Sequence, residues 1–525
     1  MTWWRESVVY QIYVRSFADS DGDGVGDLRG VLSRLDHLEW LGVDAVWLSP
    51  VHPSPNHDWG YDVADYLAVD PELGTLDDLD RLIAEAGRRG IRVLLDLVPN
   101  HTSDRHPWFL DARSSRGSSH RDWYVWHDPK ADGSPPNNWL SSFGGPAWTF
   151  DEASGQYYLH NFLPSQPDLN WWNPDVRASF EGILRFWFDR GVAGFRIDVC
   201  HMMVKDRELR DNPTATEDDH PFVRLLGQRQ LYNSCRAESH EILRGWRRIA
   251  DSYDPPRLLL GETYVFDLDR LAGFYGAGDE LHLAFNIPFI YADFDSRALA
   301  AIVSEIERRI GRVDWPVWTA SNHDVSRFPT RWCGDDRTKV RLALLLLLTL
   351  RGTPVLYYGD EIGMTDTDVP YDELRDPVGK KFWPASAGRD RCRTPIAWEA
   401  VPGAGFTRPG RRPWLRFGNL ETNVLDESRD PRSVLSFCRD LIALRRSAPE
   451  LRAGTYTELP SPAGVWMFRR GGLVVALNFS DASVDVPGHG GRIRIGTQPN
   501  RQGEVVTGPL RLGPWEGVVI GDAPG

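Results

Sequence analysis

Cysteine is scarce: five thiols in 525 residues, Cys200, Cys235, Cys333, Cys392 and Cys438, odd in number and without a CxxC pair. That spacing excludes a disulfide framework and a cysteine-held zinc site. Positive charge is short as well, 60 Lys and Arg against 74 Asp and Glu, a formal net charge of -14. A polyanionic partner such as nucleic acid calls for the opposite balance, so a neutral small ligand or a cation is expected instead. The longest apolar run, Leu342 to Leu350, is too short to cross a bilayer. The amino-terminal MTWWRESVVYQIYVRSF has no basic leader, long apolar core or small-residue cleavage site. Together with the free thiols, this gives the expectation of a cytoplasmic protein without membrane partners. There is no internal repeat, low-complexity tract or heptad pattern, and no GxGxxG follows an early strand, which speaks against a doubly wound dinucleotide fold.

Aromatic residues are plentiful, with Trp 22, Tyr 16 and Phe 22. Most must serve core packing, and flat apolar faces are also what sugar rings stack on.

Strand-like runs alternate with helical ones. Eight candidates are Val8–Val14, Val43–Ser49, Ile91–Val98, Gly194–Asp198, Leu258–Glu262, His282–Phe285, Val317–Ala320 and Val355–Tyr358. Amphipathic segments lie between them, among them Leu76–Arg89, Arg177–Arg190, Arg297–Arg312 and Arg337–Leu350. Eight strand–helix units predict an α/β protein built as a (β/α)8 TIM barrel. The barrel is assigned to 1–100 and 166–448, closed by the helix Val434–Arg446. Residues 101–165, rich in Trp, Ser, Gly, Pro and Asn, read as a small domain inserted after the third strand. A second insertion, about 359–417, follows the eighth, and residues 449–525 alternate in short runs, which predicts a C-terminal antiparallel β-domain.

In such a barrel the C-terminal strand ends converge on one mouth, and four of them carry charge. The third ends in Asp96-Leu97-Val98-Pro99-Asn100-His101, the fourth in Arg196-Ile197-Asp198, the fifth in Gly261-Glu262-Thr263 and the seventh in Ser321-Asn322-His323-Asp324. Arg196 and Asp198 share one face of their strand. No hydroxyl or thiol nucleophile sits beside a base, so three carboxylates must do the chemistry. They suit acetal cleavage, in which one carboxylate attacks or steadies an oxocarbenium-like carbon and a protonated one protonates the leaving oxygen. Arg196 is expected to keep Asp198 ionised as the nucleophile, while crowding keeps a proton on Glu262. Asp324 then fixes ring hydroxyls, and His101 and His323 donate to sugar oxygens.

DLVPNH, GFRID, GET and SNHD, in this order and spacing, resemble the four short motifs of the α-amylase family of glycoside hydrolases, family 13. VVYQIYVRSFADSDGDGVGDLRG, Gln166-Pro167-Asp168-Leu169-Asn170 and Arg393-Thr394-Pro395 are similar to its α-glucosidase and oligo-1,6-glucosidase branch, so the resemblance covers nearly the whole chain. It implies a retaining, exo-acting α-glucosidase with Asp198 as nucleophile, Glu262 as acid/base and Asp324 as transition-state stabiliser. His101, Arg196 and His323 surround the transferred glucose. Asp58 and Tyr61 match the positions that clamp and stack the non-reducing end, and Arg393 matches the partner of that aspartate. The substrates implied are maltose- or isomaltose-type oligosaccharides.

Four acids crowd one loop, Asp19, Asp21, Asp23 and Asp27, and so close a set repels unless a cation joins it. An EF-hand is excluded by Gly30 at the closing position. The branch carries a structural calcium here, through these side chains and the Val25 carbonyl; magnesium or a solvated turn are the other readings. Val199, after the nucleophile, tends in this branch to accompany α-1,6 linkages, but Cys200-His201-Met202-Met203-Val204-Lys205-Asp206 departs from the usual wording and Asp206–Tyr253 can reshape the same subsite. His201 and Lys205 read either as acceptor-site residues or as helix-start packing. Transglucosylases, sucrose- or trehalose-active relatives and a catalytically silent barrel acting as a binding subunit share the scaffold.

Overall fold

A computed structural model describes residues 2–311 and 314–522. Eight short parallel strands form its centre: Val9–Ile12, Ala45–Leu48, Arg92–Leu97, Gly194–Ile197, Leu258–Gly261, Leu283–Ala284, Val317–Thr319 and Thr353–Tyr357. Each overlaps one of the eight predicted segments. The strands follow one another around the sheet in chain order, and a parallel bridge from Phe285 to Val317 joins the sixth to the seventh, closing the barrel. Nearly every strand residue is buried, as continuous apolar runs covered on both faces require.

The helices start where caps allow. Thr75 and Asp78 form a capping box on Leu76–Arg88, and Asp336 caps Arg337–Thr349. Pro174–Asp189 begins three residues before the predicted Arg177, because Asn173 caps it and Pro174 supplies a preset first turn. Ser296–Arg309 ends before Arg312, the last residue of that prediction, which lies outside the described residues. The apolar Leu342–Leu350 run is packed on two sides: Leu342 and Leu345 reach the C-terminal sheet so closely that a Cβ on Gly517 would lie 2.6 Å from Leu345 Cδ2.

After the third strand come the helix Pro107–Ser114 and a three-stranded antiparallel sheet of Trp126–His127, Trp148–Asp151 and Gln156–Leu159, cored by Trp139, Trp148 and Leu159. The chain ends in a six-stranded antiparallel sheet with Val465–Arg470, Leu473–Asn478 and Gly517–Gly521 at its middle. The (β/α)8 barrel with an inserted small domain and a C-terminal β-domain is therefore the fold. Among the described residues no helix is long and apolar enough to cross a membrane.

Candidate active site

Strand register builds the centre of the site. Asp96 and Arg196 are direct neighbours across the third and fourth strands, and Ile197 pairs with Gly261, which puts Glu262 beside Asp198. Arg196 is 1 % exposed and grips three acids. Its Nη1 lies 2.8 Å from Asp96 and 2.6 Å from Asp198, and its Nη2 lies 2.7 Å from Glu262. The ring of Trp47 closes one side at 5.2 Å from the guanidinium.

This corrects the expectation that Arg196 singles out Asp198. A guanidinium is a planar fork with five donors, so it reaches the strand on either side as readily as its own. Burial pushes Asp198 well above the usual carboxylate range, the charges of Glu262 and Asp96 add to it, and Arg196 opposes them. Asp96 is pushed up to about 6, again chiefly by burial.

Val199 holds a left-handed turn, φ 32° and ψ 44°, that a β-branched residue rarely adopts. The turn aims its N–H at Glu262 Oε2, 3.0 Å away. Cys200 Sγ sits under the Glu262 carbonyl at 3.3 Å, and a Cβ on Gly261 would lie 2.9 Å from that sulfur. His201 and Lys205 are both buried at 3 % exposure and bonded inward, His201 toward the Glu262 carbonyl and Lys205 to Asp168 at 2.8 Å. Past Glu262, the Tyr264 and Tyr291 hydroxyls touch, and Phe266 stacks on His220 with ring centres 3.8 Å apart, which joins the Asp206–Tyr253 segment to this end of the site.

The seventh strand supplies the opposite wall. His323 Nδ1 accepts from Gln11 Nε2–H at 2.8 Å, which leaves Nε2 facing the Tyr61 hydroxyl at 2.5 Å and Asp324 at 3.2 Å. Tyr61 donates to Asp96 Oδ2 at 3.0 Å. Burial holds His323 well below the usual histidine range and takes His101 down to about 4, so both are neutral donors near pH 7. Burial works against the Asp324 charge, but the guanidiniums of Arg389 and Arg393 oppose it and keep this carboxyl below the ordinary range.

The partner expected for Asp58 is not the one present. Arg389 Nη2 meets Asp58 at 2.6 Å, whereas Arg393 donates through Nε to the His323 carbonyl at 2.7 Å and through Nη2 to Asp324 at 2.9 Å. Arg393 is fully buried and held through Nε and Nη2, and among the described residues no ion pair joins it to Asp58. Arg389, four residues earlier, is braced by Asp376 at 2.7 Å and spans from Asp58 to Asp324 at 3.3 Å. Gln166 Nε2 completes the Asp58 contacts at 3.1 Å. Arg389 and Asp376 escape a reading by motif, because the insertion holds ten Arg and Lys residues beside its nine acids and nothing local singles out Arg389.

In the acidic loop, the carboxylates of Asp19, Asp21 and Asp27 have oxygens within 4.8 Å of one another. Asp23 is outside that group and accepts the Val25 N–H at 2.7 Å. Three hard anionic oxygens in one turn fit a calcium-like cation. Part of their capacity is already used, since Asp27 caps the helix Leu28–Ser33 through Gly30 N–H and Asp19 accepts from Gly22 and Gly24.

Residues 11–454 match the family described as alpha amylase, catalytic domain, and residues 452–519 match a domain of unknown function, DUF3459. A probable alpha-glucosidase of Rhizobium meliloti is 45% identical over 86% of this chain and 84% of its own, and an oligo-1,6-glucosidase of Heyndrickxia coagulans 36% over 94% and 95%. The crystal structure of the alpha-glucosyl transfer enzyme XgtA superposes with a TM-score of 0.93 at 40% identity over all of both chains. A point mutant of trehalulose synthase MutB superposes with a TM-score of 0.91 at 33% identity over 99% of this chain and 100% of its own. With the strand-end acids gathered on Arg196 and a catalytic-domain match over most of its length, the chain belongs to the α-amylase family of glycoside hydrolases.

Proposed function

We propose that the protein is a retaining, exo-acting α-glucosidase that removes terminal non-reducing glucose from short α-1,4- or α-1,6-linked oligosaccharides. One observation carries the reading: Asp198 and Glu262 are bonded to the two arms of one guanidinium. That arrangement suits the short separation, about 5 Å, at which one carboxylate can attack while the other protonates the leaving oxygen. Asp198 forms the glycosyl ester as Glu262 releases its proton to the departing sugar, and Glu262 then takes a proton from the water that cleaves the ester. Asp324, kept anionic by its arginines, accepts from ring hydroxyls, and neutral His101 and His323 donate to sugar oxygens. Asp58 and Arg389, with Tyr61 beneath, close the far end on the terminal glucose, which favours attack from chain ends. The intact trio argues against a silent barrel.

Glucosyl transfer is the second reading, favoured by the full-length likeness to an alpha-glucosyl transfer enzyme. Incubation with maltose, isomaltose, sucrose and trehalose, with product anomer and chain length followed by NMR, separates the two. Release of α-glucose supports hydrolysis, growing trisaccharides support transfer, and no turnover of any sugar overturns both.

A calcium ion in the acidic loop belongs to this reading, held by Asp19, Asp21 and Asp27 with Asp23 and the Val25 carbonyl completing its shell. It ties the loop down and takes no part in the reaction. Five free thiols, four of them buried, support a cytoplasmic location.

A further inference from the structure

A lysine with no exposed surface to speak of lies behind the third and fourth strand ends. Lys205 Nζ contacts Asn100 Oδ1 at 2.6 Å, Asp168 Oδ2 at 2.8 Å and the carbonyls of Met202 and Met203 at 2.8 and 3.2 Å. An ammonium has donors only. It therefore dictates which way the Asn100 amide faces: the oxygen toward Lys205, and the NH2 toward Asp168 Oδ1 and His101 Nδ1, both at 3.1 Å.

We propose that Lys205 is a positioning residue that, through the Asn100 amide, sets the tautomer of His101, leaving Nδ1 bare and the proton on Nε2. The geometry at the other ring nitrogen agrees. Among the described residues, the Tyr61 carbonyl, 3.1 Å from Nε2, is the one acceptor against either ring nitrogen. The second neighbour of Nε2, Gln166 Nε2 at 3.1 Å, is another donor, fixed in that orientation because its Oε1 accepts the Leu163 N–H and its NH2 serves Asp58. A proton on Nδ1 would face an NH2 group, and a doubly protonated ring would find one acceptor for two N–H groups. The charges around the ring are Asp168 and Lys205, with Asp58 beyond Gln166 and the Phe162 ring packed at 5.2 Å. The result is a neutral imidazole whose single N–H is directed at the Tyr61 carbonyl, away from the amide. The consequence for catalysis rests on the proposed placing of His101 beside the transferred glucose; the tautomer itself does not.

Nitrogen-15 NMR of histidine-labelled full-length protein tests it, with the His101 signals identified by their loss in His101→Gln. The expected spectrum shows an unprotonated Nδ1 and a protonated Nε2 from pH 5 to 8; a proton on Nδ1 overturns the proposal. Lys205→Met combined with Asp168→Asn frees the Asn100 amide to turn, and is expected to mix the tautomers, raise KM about tenfold with kcat within threefold, and move the acidic limb of kcat/KM to higher pH. If that variant folds and loses only thermal stability, with tautomer and pH profile unchanged, Lys205 is merely structural and the idea fails. Asn100→Asp keeps a partner for Lys205 and sets a carboxylate oxygen against Nδ1, so it should transfer the proton to Nδ1; an unmoved proton also overturns the proposal. The spectra need no turnover, so a wrong substrate assignment and a wrong tautomer give different results.

Discussion

The Val199 N–H donates to Glu262 Oε2 at 3.0 Å, so the residue that follows one candidate catalytic carboxylate holds the side chain of the other. Val199 makes this bond from a left-handed turn, which costs an L-residue about 1–2 kcal/mol and a β-branched one no less. Strain of this kind persists where surrounding packing enforces it.

Replacing Val199 separates the backbone from the side chain. Val199→Gly keeps the N–H and suits the turn, so kcat/KM on the preferred disaccharide should stay within about tenfold, while the maltose-to-isomaltose ratio changes if the isopropyl group shapes the subsite. Val199→Pro removes the donor and bars positive φ; losing a hydrogen bond to a carboxylate, about 1.5–3 kcal/mol, should lower kcat/KM by about 10- to 150-fold. Steady-state kinetics of both variants decide the matter, and equal effects of the two would deny the N–H any part.

The Asp58 partner is open to a double-mutant cycle. Because Arg389 touches Asp58 and Arg393 does not, Asp58→Asn and Arg389→Lys should be strongly non-additive in kcat/KM, with a coupling of about 1–3 kcal/mol. The cycle of Asp58→Asn with Arg393→Lys should come closer to additivity. Stronger coupling to Arg393 would restore the pairing read from the sequence.

Much of the site was legible because barrel topology does the gathering. Once eight strands are counted, Asp198, Glu262 and Asp324 must meet, whatever lies between them. What stayed hidden depends on reach and register. Arg196 looked like the private counter-ion of Asp198 since they share a strand face; only the neighbouring strands show that it serves Asp96 and Glu262 as well. The choice of Arg389 over Arg393 at Asp58 turns on two bonds that immobilise Arg393, neither of which has a sequence signature. Lys205 was an even choice between acceptor site and packing because nothing local reveals Asp168 or Asn100 as its partners.

The acidic loop predicts a metal-linked stability. Addition of about 1 mM calcium to chelator-treated protein should raise Tm by several degrees, since a ligand at a thousand times its Kd adds about 4 kcal/mol. Asp19→Asn with Asp21→Asn should abolish the increment and leave kcat at saturating calcium unchanged. An equal rise with magnesium, or none with either ion, would remove calcium from the account.

Asp198 gives the last prediction, because its displacement has a defined sign. Burial, then Glu262 and Asp96, raise its folded-state pKa above the ordinary value of about 4. The neutral form is thus favoured on folding: its stabilising effect is present below about pH 4 and is lost as pH rises through the folded-state value. At pH 7 the anion is a burden, so Asp198→Asn should raise Tm by a few degrees, and the gap between variant and wild type should close as pH approaches 4. Attack needs the anion, which places the acidic limb of wild-type kcat/KM above the usual carboxylate range. Glu262→Gln removes the acid whose charge raises Asp198 in the free enzyme whenever Glu262 has not yet taken up its proton. With α-glucosyl fluoride, whose leaving group needs no acid, that variant should stay active and its acidic limb should move to lower pH. Thermal melts across pH 4 to 7 and fluoride-release profiles test the two halves separately. A gap in Tm that does not change with pH, or an acidic limb that does not move, would mean that Asp198 is not the group displaced by its crowded partners.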